Sequence, residues 1–183
     1  MRSHPVAAVL LVLVLLPGCV HPSKPRPDAA LDRLLDLIRQ RLLVMDGVAR
    51  WKWNQQASIA DPVRERAILE GIVAQSGKHD LDPAFVRIFF QAQFDAAKQV
   101  QADCFRRWEA ARQPPFPDAP DLTRDLRPQI DRLNGELLAA LPAVRLQDPA
   151  ARGRLQQRAA VVVQGDGITA AVRDTAVAPL LAP

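Results

Sequence analysis

Hydrophobic side chains recur along this chain with the spacing of amphipathic helices. Within residues 31–55 they advance in steps of four and three, which places them on one helical face. A second stripe with the same steps runs through residues 90–108. The stripes comprise Leu34, Ile38, Arg41, Met45, Val48 and Lys52, then Phe90, Phe94, Ala97, Gln101, Cys104 and Trp108. No segment alternates convincingly with a period of two, so the pattern predicts an all-α fold.

Start and stop signals divide residues 31–183 into about six helices of a single helical-bundle domain. Asp61-Pro62 and Asp82-Pro83 each combine a capping side chain with proline at the first helical position, and Asp148-Pro149 repeats this signal. The predicted helices cover residues 31 to about 55, 62 to about 77, 83 to about 112, a stretch after 123 that reaches 141, 149 to about 165, and 168 to about 178. A connector with four prolines, residues 113–120, separates the third helix from the fourth.

The first 19 residues have the organisation of an export signal. Their apolar run, Val6 to Leu16, is shorter than the roughly 20 residues that a membrane-spanning helix needs. The sequence LPGC, which ends at Cys19, resembles the bacterial lipoprotein cleavage box; ordinary cleavage nearby is the alternative. A proline-rich linker, residues 20–30, follows. We therefore expect export to the periplasm, with a lipid at Cys19 as the only attachment to the membrane, here the outer membrane.

The composition argues against several other classes of function. The net charge of +4 is mild and is evenly mixed in sign, which does not favour a nucleic-acid partner. Two Cys and three His are scattered without metal-ligand spacing, and no phosphate loop or nucleophile motif is present. No metal or cofactor is therefore predicted. Cys104 lies in an apolar stripe and is expected to behave as a small buried hydrophobe.

Three polar residues interrupt the apolar stripes. Arg41 and Lys52 lie on the face of the first helix that carries Leu and Val, and Gln101 lies on the Phe-rich face of the third. An unpaired buried cation is energetically costly, and the stripe of Arg41 and Lys52 contains no acidic residue. These positions predict an anionic ligand held inside the bundle.

Further charged residues are expected beside helix N-termini. Arg64 and Glu65 follow the Asp61 cap, where backbone donors and the helix dipole favour a negative group. Arg127 precedes Pro128, which is tolerated only near a helix start. Together with the stripe residues, these guanidinium, ammonium and amide groups suit a small dicarboxylate that carries additional oxygens.

In order and spacing these residues resemble the all-helical chorismate mutases. The resemblance spans about Leu31 to Trp108 and includes the segments RWKW, DPVRERAIL and HDLDPAFVRIFFQAQ. The export signal and the helices after Trp108 resemble the exported subclass of that family. There, a region similar to PDLTRDLRPQIDRLN donates a further arginine, which corresponds to Arg127.

The resemblance implies the rearrangement of chorismate to prephenate without a cofactor. Arg41 and Arg127 would clamp the carboxylates of the substrate, and Arg64 would support one of them. Lys52 and Gln101 would hydrogen-bond the ether oxygen that gains negative charge as the C–O bond breaks.

Two more residues complete the implied site, and two positions depart from the pattern. Glu65 and the backbone at Asp61 would hold the ring hydroxyl. Ala97 stands where relatives carry a hydroxyl residue, so weaker substrate binding is expected. Gln101 replaces a glutamate found in some relatives, which predicts a nearly flat rate between about pH 5 and 8.

Two other functions remain open at the level of sequence. The same fold in relatives eliminates pyruvate from isochorismate, and an envelope lipoprotein could retain the bundle for partner binding alone. The resemblance further suggests a homodimer in which each chain holds its own complete site.

Overall fold

The computed structural model of the protein describes residues 29–144 and 149–181. These residues form six α-helices and contain no strand, which confirms the predicted all-α fold. The bounds are α1 (Ala29–Asn54), α2 (Pro62–Val73), α3 (Pro83–Ala111), α4 (Arg127–Ala140), α5 (Pro149–Val162) and α6 (Ala170–Leu181). Among them, no helix is both long and apolar enough to cross a membrane. The predicted leader with Cys19 and the predicted cap Asp148 lie outside the described residues.

The two longest helices, α1 and α3, organise the core. They pack against each other; α4 and α5 also pack on α1, and α2 and α6 pack on α3. The stripe residues Leu34, Ile38 and Phe90 are fully buried at these contacts. Cys104 is a free thiol buried in the same core, as predicted, and burial raises its pKa.

The Asp-Pro signals mark the starts of two helices correctly. α2 begins at Pro62, where the Asp61 carboxylate accepts a hydrogen bond from the Arg64 amide at 3.1 Å. α3 begins at Pro83 in the same manner, with Asp82 as its cap. The cap at Asp61 fixes the direction in which Arg64 and its neighbours leave the helix start.

Several predicted helix ends were wrong by a few residues. α2 ends at Val73 rather than near Gly77, because the chain tightens into a 3₁₀ turn, Ser76–His79, that buries Ser76. α1 already begins at Ala29, inside the predicted linker, where two alanines extend its first turn.

The predicted ends of the last two helices also required correction. α5 ends at Val162, before Gly165 turns the chain with a φ of 149°. α6 begins at Ala170, two residues later than predicted, and continues to Leu181 although Pro179 lies inside it. Leu180 is fully buried, so packing against the core outweighs the local effect of the proline.

The proline-rich connector between α3 and α4 is fastened to the end of α1. The Asn54 side chain donates to the carbonyl oxygen of Phe116 at 2.7 Å and accepts from the amide of Phe116 at 2.8 Å. Farther along, Gly47 allows a close approach: a Cβ there would lie 3.1 Å from Pro120 and 3.2 Å from Leu126.

A π-helical turn, Leu122–Leu126, leads directly into α4. The amide of Arg127 donates to the carbonyl oxygen of Leu122, and the Asp121 carboxylate caps the turn. Arg127 is therefore the first residue of α4, in agreement with the expectation from Pro128. The turn brings Arg127 to the wall of a cavity between the helices.

Candidate active site

A cavity of about 310 Å³ lies between α1, α2, α3 and α4 and is bordered by the segment that joins α1 to α2. The predicted substrate-site residues all line it: Arg41, Lys52, Asp61, Arg64, Glu65, Ala97, Gln101 and Arg127. With Lys98 and Asp131, which also line it, the wall carries five cationic and three carboxylate side chains. This excess of positive charge favours an anion with two negative charges.

Arg41 is the most deeply placed cation of the cavity, with 3% of the residue exposed. Its Nε donates to Oδ1 of Asn134, and its Nη1 donates to the carbonyl oxygen of Gln93, both at 2.9 Å. The guanidinium carbon also lies 5.4 Å from the centre of the Phe94 ring. Burial lowers the pKa of Arg41 to about 10, so the side chain is charged at neutral pH.

Lys52 reaches the cavity from the last turn of α1. Its Nζ donates to the carbonyl oxygen of Ile59 at 2.6 Å. Burial lowers the pKa of Lys52, while the Glu65 and Asp61 carboxylates act in the opposite direction and Arg127 lowers it further. Since an ammonium carries three donors, two remain for a ligand.

Gln101 is buried, and its amide is only partly satisfied. Nε2 donates to the carbonyl oxygen of Ala97 at 3.1 Å and lies 3.8 Å from the sulfur of Met45, whereas Oε1 is buried without a partner. The contact with a carbonyl oxygen identifies the nitrogen end of the amide. One N–H is therefore committed to the helix, and the second has only the weak sulfur acceptor of Met45, which an oxygen acceptor of a ligand would replace.

The two remaining arginines are less constrained than Arg41. Arg127 donates from Nη1 to the Thr123 hydroxyl at 3.2 Å, and its Nε is buried without a partner. The Arg64 guanidinium is half-buried and makes no ion pair with any residue that the structure describes. Both retain donors for the paired oxygens of a carboxylate.

Glu65 belongs to a chain of charges that the sequence did not reveal. Its carboxylate lies 3.1 Å from Nζ of Lys98, which in turn lies 3.0 Å from the Asp95 carboxylate. Partial burial alone would lower the pKa of Lys98, but its bonds to Asp95 and Glu65 outweigh burial and raise it. The other oxygen of Glu65 faces the amide of Asp61 at 3.4 Å. Glu65 is thus held at the cavity wall from two sides.

Comparisons with known proteins identify the family to which the chain belongs. A sequence model described as Chorismate mutase type II matches residues 28–102. A secreted chorismate mutase from Mycolicibacterium smegmatis is 33% identical over 125 residues, which cover 68% of each chain. The chain belongs to the chorismate mutase family.

Solved structures of chorismate mutases share the fold described above. The enzyme from Burkholderia thailandensis is 35% identical, with a TM-score of 0.76, over 84% of this chain and 99% of that one. A secreted chorismate mutase from Yersinia pestis has a TM-score of 0.68 over 81% of this chain and 94% of that one. At 22% identity, the second likeness supports the fold alone.

Two buried polar residues that contact Arg41 escaped the sequence reasoning, although a signal was present. Asn134 lies four residues after Ile130 and three before Leu137, so it interrupts an apolar stripe as Arg41 does. Gln93 holds a comparable position, three residues after Phe90. Both are buried. The step rule that selected Arg41 would have selected them too.

Proposed function

We propose that this chorismate mutase binds chorismate, a dianion, in the cavity between α1 and α4 and rearranges it to prephenate. The observation that carries the proposal is the buried Arg41, which lines the cavity and has no carboxylate partner among residues 29–144 and 149–181. The cavity volume of about 310 Å³ falls at the lower end of the range for small-ligand sites.

We assign binding of the two substrate carboxylates to the arginines of the cavity. Arg41 and Arg127 come from two different elements, α1 and the start of α4, and both line the cavity. Arg64 stands at the start of α2, where backbone donors also favour an anion. Paired N–H groups of a guanidinium match the two oxygens of a carboxylate, and this pairing would hold the substrate in its compact reactive form.

We assign stabilisation of the breaking C–O bond to Lys52 and Gln101. Negative charge develops on the ether oxygen in the transition state, and an ammonium with a fixed N–H donor would stabilise that charge. The bond from Nε2 of Gln101 to the Ala97 carbonyl oxygen supports the role, because it fixes the donating end of the amide at the cavity wall. The reaction requires no nucleophile and no cofactor, so positioning and electrostatics account for catalysis.

The ring hydroxyl is assigned to Glu65 and the backbone of Asp61. The weak 3.4 Å contact between them would open to admit a hydroxyl group, which can donate to the carboxylate and accept from the amide. Ala97 lines the cavity and offers no hydrogen bond at its position.

The test is the loss of chorismate absorbance with protein that lacks residues 1–19, with the product identified by NMR. Prephenate should form at catalytic rates, and Lys52→Ala should lower kcat by about 10²-fold or more. Lys78→Ala is the matched control, because Lys78 is an exposed lysine that does not line the cavity. Intact chorismate, or equal rates in the two variants, would contradict the proposal. Pyruvate release from isochorismate would instead identify the lyase reaction.

Export, anchoring and assembly form a second part of the proposal. The relatives named as secreted support export of this chain. For the finer location we propose the periplasm, with a lipid on Cys19 at the outer membrane; the mass of the mature N-terminal peptide would reveal the acyl chains or their absence. We also propose a homodimer, which sedimentation of the mature protein would test.

A further inference from the structure

The surroundings of Arg41 consist of neutral groups. Its Nε bonds to the Asn134 amide oxygen, its Nη1 bonds to the Gln93 carbonyl oxygen, and its positive charge faces the Phe94 ring. Its Nη2 makes no hydrogen bond to any described residue. Two of the three guanidinium nitrogens are therefore held, while Nη2 and the second hydrogen of Nη1 remain for a ligand in the cavity that Arg41 lines.

The charge of the group that accepts from Nε of Arg41 decides how strongly Arg41 can attract an anion. A carboxylate at 2.9 Å from Nε would form a buried ion pair with Arg41 and cancel most of its attraction for an incoming anion. An amide oxygen accepts the same hydrogen bond but leaves the positive charge uncompensated. Asn and Asp have nearly the same shape, so the choice of an amide at position 134 matters electrostatically rather than sterically.

Asn134 contacts the proposed substrate site only through its bond to Arg41. It is buried, with 4% of the residue exposed, and does not line the cavity. It approaches Arg41 from α4, the helix whose first residue is Arg127. Its bond to Nε therefore fixes the guanidinium relative to the other arginine assigned to a carboxylate.

We infer that Asn134 is a positioning residue for substrate binding, which aims the Arg41 guanidinium at the cavity while leaving its charge free for a substrate carboxylate. The inference rests on the proposed function of Arg41. It concerns KM more than kcat, because binding of this carboxylate is shared by the ground state and the transition state.

The inference has a positioning half, that Asn134 aims the Arg41 guanidinium, and an electrostatic half, that its neutral amide leaves the charge of Arg41 free. Two substitutions test these halves separately. Asn134→Asp keeps the acceptor but adds a charge, and it should raise KM for chorismate at least tenfold, leave kcat within about threefold, and maintain or raise the melting temperature. Asn134→Ala keeps the charge of Arg41 but removes its acceptor, and it should raise KM and lower the melting temperature. A purely structural role would leave KM of the folded variants unchanged.

The control for net charge is Gln157→Glu, at an exposed position of α5. It adds the same negative charge and should keep the wild-type KM. A wild-type KM in Asn134→Asp would overturn the electrostatic half of the inference, and a wild-type KM in Asn134→Ala would overturn the positioning half. If Asn134→Asp does not fold, Asn134→Ala still decides the positioning half.

A binding measurement distinguishes failure of this inference from failure of the proposed function. Calorimetry measures the affinity for the dicarboxylate malonate, which depends on the uncompensated charge of Arg41 and involves no turnover. Asn134→Asp should bind malonate at least tenfold more weakly than the wild-type protein. Equal affinities would overturn the inference whether or not chorismate is converted, whereas absence of conversion with the expected loss of affinity would contradict only the assigned reaction.

Discussion

The ammonium group of Lys52 donates a hydrogen bond to the carbonyl oxygen of Ile59 over 2.6 Å. Ile59 belongs to the segment between α1 and α2, which borders the cavity. The Ile59 oxygen thus occupies one of the three N–H donors of Lys52. The other two remain for the ether oxygen of the substrate, which we propose that Lys52 binds. The contact orients the ammonium before substrate arrives, which lowers the cost of reorganisation during the reaction.

Replacement of Lys52 by methionine should separate activity from stability. The barrier should rise by about 3 kcal/mol, a loss of roughly 10²-fold in kcat, because the main cation at the ether oxygen is removed. The melting temperature should rise, since burial disfavours the charged form of Lys52 and methionine removes that penalty. Steady-state kinetics and thermal unfolding measure the two effects.

The control for this substitution is Lys78→Met, which alters an exposed lysine outside the cavity. It should change neither kcat nor the melting temperature appreciably. A Lys52→Met enzyme with wild-type kcat would remove Lys52 from the catalytic assignment.

The alkaline limb of the activity profile should show the lowered pKa of Lys52. Activity requires the ammonium form, so kcat/KM, which reports the free enzyme, should fall as pH rises, and the fall should begin below 10.5, the ordinary value for lysine. Between the folded and unfolded pKa values the unfolded state binds more protons, so the free energy of unfolding should rise with pH in that window. Opposite slopes of activity and stability, measured by kinetics and urea unfolding, are the expected signature. A decline in activity only above pH 10.5 would contradict this expectation.

The acid side of the profile depends on Gln101. An amide donates at any pH, so kcat should be nearly constant between about pH 5 and 8. Gln101→Glu should introduce a steep fall toward neutral pH, because a glutamate can donate only when it is protonated. The pH dependence of kcat for both proteins tests this assignment.

The matched variant is Gln75→Glu, which introduces the same charge at an exposed position after α2. Its profile should remain flat. A wild-type enzyme that loses activity steeply between pH 5 and 8 would argue against Gln101 as the donor.

A hydroxyl group at position 97 should strengthen substrate binding. Ala97→Ser adds a donor at the cavity wall, and one additional hydrogen bond of about 0.5–1.5 kcal/mol should lower KM roughly two- to tenfold. Ala96→Ser serves as the control, because Ala96 is fully buried and does not line the cavity. The control should lose stability and keep its KM. An unchanged or higher KM in Ala97→Ser would mean that no substrate oxygen lies within reach of this side chain.

Local signals in the sequence predicted the helices better than their ends. Proline at Pro62 and Pro83 restricts the backbone at the first helical position, so these starts can be read directly. The end of α6 depends on burial of Leu180 beneath other elements, which no local pattern expresses. The π-helical turn before Arg127 likewise packs against Gly47 of α1, a long-range contact that no local pattern expresses.

In the candidate site, too, a local pattern reveals some residues, whereas only the packing of the helices reveals others. Arg41 and Gln101 could be selected because a polar residue in an apolar stripe conflicts with its predicted burial, and both are buried. Lys98 could not be selected, since a lysine at the edge of a stripe is ordinarily solvated. Its importance arises from the positions of Glu65 on α2 and Asp95 on α3, which only the packing of the two helices brings together. The catalytic roles themselves stay predictions.

The cavity wall draws Arg41 from α1 and Arg127 from α4 of a single polypeptide. In the homodimer that we propose, two disabled subunits therefore could not repair each other. In a mixture of an Arg41→Ala protein with an Arg127→Ala protein, each polypeptide would still contain a defect in its own site. Exchange of subunits between such dimers would therefore leave the measured turnover unchanged.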